Sequence, residues 1–293
     1  MVARRGAARF HPGASDDRGP RARLPLKHRR CSSGWKQPTD DCAHRLRPSL
    51  VTERPVARFQ RDPRTRPLAT ERHRTGDELG ALYGSFLEFA DVTGVCLASS
   101  VPQLIRSYED LAARYLQAEV LVLGPGVRTG IPIRYEDPRE VGADRIANAV
   151  AGASRYGAPC IVVDFGTSTN FDIVSADNEF VGGVLAPGIE ISMDALVQRA
   201  ARLFKIDFVE PPSVIGKNTA ASLQSGLVYG FAGQVDGIVE RIRAELGSEA
   251  PAIATGGLAD LIAPHSRTID RVDPLLTLEG LRLVWERNAS PVT

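Results

Sequence analysis

The stretch CIVVDFGTSTNFDIVSADNEFVGGV, residues 160–184, contains apolar runs separated by short polar segments. The first run is rich in β-branched residues and ends at Asp164 and Gly166, which predicts a buried strand followed by a turn. The next apolar run begins almost at once and is followed by another, which predicts a hairpin. The stretch therefore indicates three consecutive strands, the first of which ends at a polar turn.

The turn after the first strand has a composition that suits phosphate oxygens. Successive backbone N–H groups at Gly166, beside the hydroxyls of Thr167 and Thr169, would donate hydrogen bonds to a polyphosphate. Asp164 would repel a bare phosphate, so we interpret it as a ligand of a metal ion or of a metal-bound water. An ordinary Gly-Thr turn remains the alternative on this motif alone.

The residues on either side of this stretch predict a mixed α/β protein. Thr75 and Glu78 have the spacing of a capping box, so a helix is expected to begin near Asp77. A strand, a helix and a second strand follow in residues 91–126, which indicates a β-α-β unit with parallel strands. Further helices are predicted in residues 142–157, 191–203, 220–246 and 275–288, with one more strand in residues 251–257.

The N-terminal part of the chain differs in composition from the rest. Residues 1–74 contain 19 Lys and Arg against 7 Asp and Glu, whereas the remaining residues contain 17 against 28. The few apolar residues of this part follow neither a helical nor a strand period. Residues 1–74 are therefore predicted to be a disordered basic segment.

Several functions are disfavoured by composition. The basic segment has few aromatic residues and no nucleic-acid-binding signature, which disfavours a nucleic-acid partner. Its His and Cys residues, His28, Cys31, Cys42 and His44, lack the spacing of common zinc sites. No apolar run approaches the roughly 18 residues that a membrane span requires, and no signal peptide is apparent. We therefore expect a soluble, cytoplasmic protein.

A second glycine turn occurs in ATGGLA, residues 254–259, after a short apolar strand. Gly256 and Gly257 would let a flat ring such as adenine approach the backbone, although a simple helix-entry turn explains them equally well. Known nucleotide motifs do not account for these turns, because a Walker loop and the dinucleotide fingerprint are both absent. The DFG triplet lacks the other protein-kinase motifs.

Two acidic residues are candidates for the chemistry. Asp144 lies at a predicted helix start, where the alternative role for an acid is capping. Asp172 alternates with apolar strand residues, and such a position is more often a solvated one. The pattern alone does not decide between these roles.

Taken together, the motifs resemble those of type III pantothenate kinases. The resemblance is carried, in this order, by GPGVRTGIPIRYEDPREVGADRIANAV, VVDFGTSTNFDIVSADNEFVGGVLAPGI, VIGKNT, ATGGLA and DPLLTLEGLRLVWERN, and it extends over about residues 75–288. It implies an actin/hexokinase-like α/β fold of two ribonuclease-H-like halves, with residues 75–155 in the first and 156–293 in the second. It also implies a homodimer that phosphorylates pantothenate with ATP, the entry step of coenzyme A biosynthesis.

The resemblance also implies roles for particular residues. Asp144 falls on the catalytic base, and Asp164 on the ligand of a monovalent cation, potassium or ammonium. Magnesium is expected to accompany ATP. The positions that correspond to ATP-binding residues are Gly166, Thr167, Gly256 and Gly257. The positions that correspond to pantothenate-binding residues are Tyr135, Gly142, Ala143, Asp144, Arg145 and Thr219.

One family motif is absent from this sequence. Members open with a strand and an Asp-x-Gly-Asn-Thr phosphate loop, and no such sequence occurs in residues 1–74. The N-terminal strands of the first half are therefore expected to be missing or replaced. The alternative to an active kinase is a catalytically impaired relative that only binds ligands or dimerises.

Overall fold

Two five-stranded sheets form the framework of the protein. The computed structural model describes residues 71, 73–99 and 101–289, together with the strand backbones within residues 48–67. The first sheet contains β1 (Pro48–Thr52), β2 (Pro55–Arg58), β3 (Arg64–Pro67), β4 (Gly94–Ala98) and β5 (Glu119–Val122), and the second contains β6 (Cys160–Phe165), β7 (Ser168–Val174), β8 (Phe180–Pro187), β9 (Ala252–Thr255) and β10 (Ile269–Val272).

The two sheets have the same topology. The first has the order β3-β2-β1-β4-β5, and the second, read from its β8 edge, has the order β8-β7-β6-β9-β10. In each sheet the first strand pairs antiparallel with the second and parallel with the fourth. The remaining pairs also match, because the third strand is antiparallel to the second and the fifth parallel to the fourth. This repetition confirms the predicted duplicated fold.

Seven α-helices connect and cover the sheets in the described part of the chain. They are α1 (Gly76–Gly84), α2 (Pro102–Leu111), α3 (Ala143–Tyr156), α4 (Ile189–Arg199), α5 (Thr219–Leu246), α6 (Ala259–Ile262) and α7 (Leu276–Asn288). The capping box predicted for α1 is present, since Thr75 N donates to Glu78 Oε2 at 2.7 Å and Glu78 N to Thr75 Oγ1 at 3.3 Å. None of the helices in the residues described is long and apolar enough to cross a membrane.

The structure corrects the predicted extent of the basic segment. Three short strands, β1 to β3, lie within residues that the composition assigns to disorder, and they complete the first sheet. Strand propensity is weak in β2 and β3, because PVAR and RTRP are rich in Arg and Pro. These two strands join the sheet through β1, which pairs with β4. Residues 1–47, including the His and Cys residues considered for zinc, lie outside the described residues. The short edge strand β10 was not predicted either.

Alternate residues of the central strands face different helix layers. In β4, Val95 and Leu97 pack against α1 and α2, whereas Cys96 and Ala98 face the layer formed by α3 and α7. In the second sheet, the same α3–α7 layer covers one face, and α4, α5 and α6 cover the other. The α3–α7 layer is therefore shared by both sheets.

The last helix, α7, belongs to the second half of the chain but also packs against the first sheet. A side chain added at Gly94 of β4 would overlap the ring of Trp285 on α7, and Trp285 is buried. The absence of a Cβ at Gly94 lets the indole approach the strand closely. A division of the chain at residue 156 therefore separates the two sheets correctly. It also separates the first sheet from α7, one of the helices that cover it.

Candidate functional site

Polar residues gather at the carboxyl end of β6, on the face covered by α3. Ile161, Val163 and Phe165 pack into the core below α4 and α5, so Asp164 between them faces α3. Its neighbours in register are Asn170 on β7 and Thr255 on β9. Because directly paired residues project to the same face, the three side chains share one surface. The carboxyl ends of parallel strands are the usual ligand sites of such sheets.

A line of hydrogen bonds connects Asp164 to two helices. Asn148 Nδ2 on α3 donates to Asp164 Oδ2 at 3.0 Å. Thr277 Oγ1, in the first turn of α7, donates to Asn148 Oδ1 at 2.7 Å. Asn148 is fully buried, so both of its amide atoms are fixed by partners rather than by water. The orientation of the Asp164 carboxylate therefore depends on residues from α3 and α7.

The two predicted glycine turns lie beside Asp164. Gly256 has a φ of 91°, and a Cβ there would lie 2.6 Å from Asp164 Oδ1 and 2.6 Å from Phe165 O. Only glycine tolerates both this backbone conformation and this contact. On the other side, Gly166 N donates to Ser168 O at 3.0 Å and closes the turn between β6 and β7. The structure thus brings Asp164, Gly166 and Gly256 together.

The two threonines of the first turn differ in position. Thr167 is exposed, as is Gly257 of the second turn, and both are open to a ligand. Thr169 is fully buried, and its hydroxyl donates to Pro187 O at 3.4 Å. The prediction that both hydroxyls face the same phosphate is therefore wrong for Thr169. Its side chain projects from the opposite face of the sheet to Asp164, because Thr169 pairs with Phe165.

Asp144 is the second residue of α3 and is exposed. Its Oδ1 accepts a hydrogen bond from the backbone N–H of Arg145 at 2.9 Å, and Gly142 and Ala143 lead directly into this turn. The partial positive charge of a helix N-terminus stabilises a carboxylate at this position. Asn148 lies one helical turn further on the same face, so Asp144 is near the Asp164 cluster.

The side chain of Arg145 does not point to solvent. Its Nε donates to Asp172 Oδ1 on β7 at 2.6 Å, and the exposed fractions of the two side chains are 7% and 0%. The expectation that Asp172 is a solvated strand position is therefore wrong, because α3 covers this face of the sheet. Burial raises the pKa of Asp172 to about 7, although the Arg145 guanidinium opposes the rise; Asp164 and Asp144 add to it.

The Arg145 side chain is enclosed by β8 as well as β7. Gly183, the register partner of Asp172, leaves the space that the guanidinium occupies, since a Cβ there would overlap Arg145 Nη2. The Arg145 Cζ lies 5.5 Å from the centre of the Phe180 ring. Tyr135 packs on the same ring, with centroids 6.3 Å apart. Tyr135 and Arg145 are thus joined through Phe180.

Thr219 is the predicted site residue that has the fewest contacts with the other predicted site residues. It begins α5 and is exposed, next to the N-cap residue Asn218, whose side chain accepts from Ala221 N at 2.8 Å. Among the hydrogen bonds and ring contacts described for residues 71–289, none joins Thr219 to Asp144 or Asp164. The other predicted positions fall into the two neighbouring groups above.

Sequence reasoning missed Asn148, Thr277 and the pairing of Asp172. Asn148 follows Asp144 by four residues in a predicted helix, and this spacing places both on one face. That signal was available in the sequence. Thr277 was not detectable in the same way, because its contact joins residues that are 129 positions apart.

Two side-chain oxygen donors, from Asp164 and Asn170, lie in register on neighbouring strands. Asn170 is 7% exposed, and its Oδ1 has no hydrogen-bond partner in the described structure. Buried amide oxygens without a donor are uncommon, and carboxylate and amide oxygens are ligands of hard cations. No group of three or more His, Cys, Asp or Glu residues within the described ranges is arranged to hold a metal ion.

Comparisons with known proteins indicate the family to which the chain is similar. The family model described as type III pantothenate kinase matches residues 52–241. A protein of that name from Moorella thermoacetica is 53% identical over 226 residues, which cover 75% of this chain and 89% of the relative. Another from Frankia alni is 56% identical over 220 residues, which cover 75% and 88% respectively.

Solved structures support the fold. One is assigned to the Baf family of transcriptional activators, from Campylobacter jejuni, and has a TM-score of 0.52 at 19% identity, covering 83% of this chain and 98% of that one. Another is assigned as a 2-dehydro-3-deoxygalactonokinase from Sinorhizobium meliloti, with a TM-score of 0.51 at 14% identity and coverage of 85% and 98%. At these identities the likeness concerns the fold alone.

Proposed function

The chain belongs to the type III pantothenate kinase family, and from this premise we propose that it transfers the γ-phosphoryl group of ATP to the primary hydroxyl of pantothenate. This reaction is the first step of coenzyme A biosynthesis. The observation that carries the proposal is the position of Asp144, an exposed carboxylate at the start of α3, one helical turn from the contact between Asn148 and Asp164.

In the proposed reaction, Asp144 accepts a hydrogen bond from the primary hydroxyl of pantothenate. The hydroxyl oxygen attacks the γ-phosphorus, the bond to the β–γ bridging oxygen breaks, and ADP leaves. The proton passes to the Asp144 carboxylate late in the transfer, since a loose transition state requires mainly positioning and charge neutralisation. Magnesium bound to the ATP phosphates supplies part of that neutralisation.

We propose the remaining positions by their location. Gly166, Thr167, Gly256 and Gly257 border the ATP phosphates and adenine, because they line the two turns beside Asp164. Asp164 would hold potassium or ammonium, with the Asn170 amide oxygen as a second ligand. Such a monovalent cation would add positive charge near the phosphates. Tyr135, Gly142, Ala143, Arg145 and Thr219 form or support the pantothenate site.

We further propose that the protein acts as a cytoplasmic homodimer. Support for the dimer comes from exposed large apolar side chains, most of which lie within residues 181–215. Those within this range are Val181, Leu185, Ile191, Leu196, Phe204, Val209, Val214 and Ile215. The strand β8, which carries two of them, lies at the edge of the second sheet. A second copy would cover both; analytical ultracentrifugation of Leu185→Asp against the unaltered protein tests this.

The kinase proposal is tested by the formation of phosphopantothenate from ATP and pantothenate, with Asp144→Asn as the decisive variant. We expect kcat to fall about 10³-fold, as for the loss of a general base, while the affinity for pantothenate changes little. Asp177→Asn, which alters an exposed acid in the turn between β7 and β8, is the matched control. Wild-type turnover in Asp144→Asn would contradict the assignment.

A further inference from the structure

Asp172, which forms a buried ion pair with Arg145, has no role in the reaction as proposed above. Removing two charges from water carries a large desolvation penalty, and apolar residues often stabilise a core better than such a pair. Within the described structure, each partner also keeps a buried atom without a hydrogen bond, Arg145 Nη2 and Asp172 Oδ2. A pair that is only half satisfied is poorly explained by stability alone.

The position of the pair links it to the catalytic turn. Arg145 follows Asp144 directly, and its own backbone N–H donates to the Asp144 carboxylate at 2.9 Å. The Arg145 side chain then reaches β7, where Asp172 accepts from Nε at 2.6 Å. The first turn of α3 is therefore fastened to the sheet at the residue beside the exposed carboxylate.

The surroundings of the guanidinium fix it from several sides. Gly183 leaves the space for Nη2, and the Phe180 ring lies 5.5 Å from Cζ. Because Arg145 is only 6% exposed, a ligand in solvent reaches its neighbours rather than its charged end. The Arg145 side chain therefore acts by holding the backbone of the first turn of α3 in place.

The geometry points to Asp172 as a positioning residue that, through Arg145, sets where the Asp144 carboxylate meets the substrate hydroxyl. This inference rests on the proposed role of Asp144. Asp172 touches neither substrate nor reacting atoms, so its effect appears in turnover rather than in binding. A displacement of about 1 Å at a reacting group lowers rates by about 10²-fold.

The test is a double-variant cycle with Asp172→Asn and Asp144→Asn. Asp172→Asn alone should lower kcat by about 10- to 100-fold with an almost unchanged KM for pantothenate. In the Asp144→Asn background, Asp172→Asn should have no further effect, because the group that it positions is gone. Asp236→Asn is the matched control, since Asp236 is also buried and hydrogen-bonded but lies on α5; it should lower stability and leave kcat unchanged.

Two results would overturn the inference: wild-type kcat in Asp172→Asn, or losses that multiply in the double variant. If Asp172→Asn does not fold, Arg145→Lys keeps both charges while losing the planar donor, and it enters the same cycle with the same expectation for kcat. Failure of the underlying function is distinguishable, because it appears as normal turnover in Asp144→Asn alone. An inactive Asp144→Asn with a fully active Asp172→Asn rejects only the positioning role.

Discussion

The first turns of the two sheets occupy equivalent places in one topology but differ in chemistry. Gly166 and Thr167 separate β6 from β7, and Asp164 lies one residue before the end of β6. Two residues also separate β1 from β2, and these are Glu53 and Arg54; the residue one before the end of β1 is Val51. Asp164 therefore has an apolar counterpart in the first sheet, and the two residues between β1 and β2 include no glycine. The duplicated fold has not preserved the same residues at this place in both halves.

The largest effect on turnover should come from giving the first half the phosphate loop that its sequence lacks. A chimera in which the N-terminal residues of the Moorella relative replace residues 1–74 would carry the family's strand and Asp-x-Gly-Asn-Thr loop. We expect kcat to rise about 10³-fold over the chain as it stands, because a preorganised donor loop stabilises transferred phosphate. Steady-state kinetics of both proteins measure this. Equal turnover would mean that the first turn is dispensable.

The next largest effect should come from Asp164→Asn, which removes the acid that distinguishes the second turn. We expect kcat to fall about 10²-fold and potassium to lose its ability to raise the melting temperature, since a neutral amide attracts the cation less. Thermal unfolding with potassium or with a large organic cation gives a readout separate from activity. A potassium effect that survives the substitution would place the cation elsewhere.

A smaller effect is expected at the second glycine turn. Gly256→Ala should lower the free energy of unfolding by about 3 kcal/mol, because the backbone has positive φ and the new methyl would press on Asp164. Gly257→Ala is the control for stability, as a Cβ there meets nothing within 4 Å. Chemical denaturation compares the two. Equal stability of both variants would show that the turn relaxes easily.

The smallest effect concerns a carboxylate away from both turns. Burial opposes ionisation of Asp236, but hydrogen bonds from Ser266, Arg267 and Thr268 hold its pKa below the usual range. Because the pKa is lowered on folding, its stabilisation is present above the unfolded pKa and disappears as pH falls through the folded value. Asp236→Asn should cost about 2 kcal/mol at pH 7 and less in acid, as measured by denaturation. A constant difference across pH would contradict this.

The comparison of turns also shows what sequence reasoning could reach. Asp164, Gly166 and Gly256 were predictable because each ends or follows an apolar strand, and the ends of parallel strands meet. Asp172 was misjudged because alternation shows that it faces away from Phe171 but not that α3 covers that face. Whether both faces of a strand are buried depends on which helices pack on the sheet, and the sequence of the strand does not show this.

The strands β1 to β3 illustrate a different limit. The residues of β2 and β3 carry little strand propensity, and these strands join the sheet through β1. In turn β1 pairs with β4, which lies 42 or more residues downstream of the end of β1. Local pattern cannot detect pairing that a distant strand imposes. The same holds for β10, whose exposed residues pair only with β9.

The contact of Trp285 with Gly94 has a consequence for the order in which the protein is made. A ribosome completes the strands of the first sheet well before α7, which helps to cover their inner face. Until α7 is made, β4 lacks the Trp285 ring, and Asn148 lacks its hydrogen bond from Thr277. A chain interrupted before α7 would therefore leave part of the first sheet exposed and prone to aggregation, and the Asp164 carboxylate less firmly oriented.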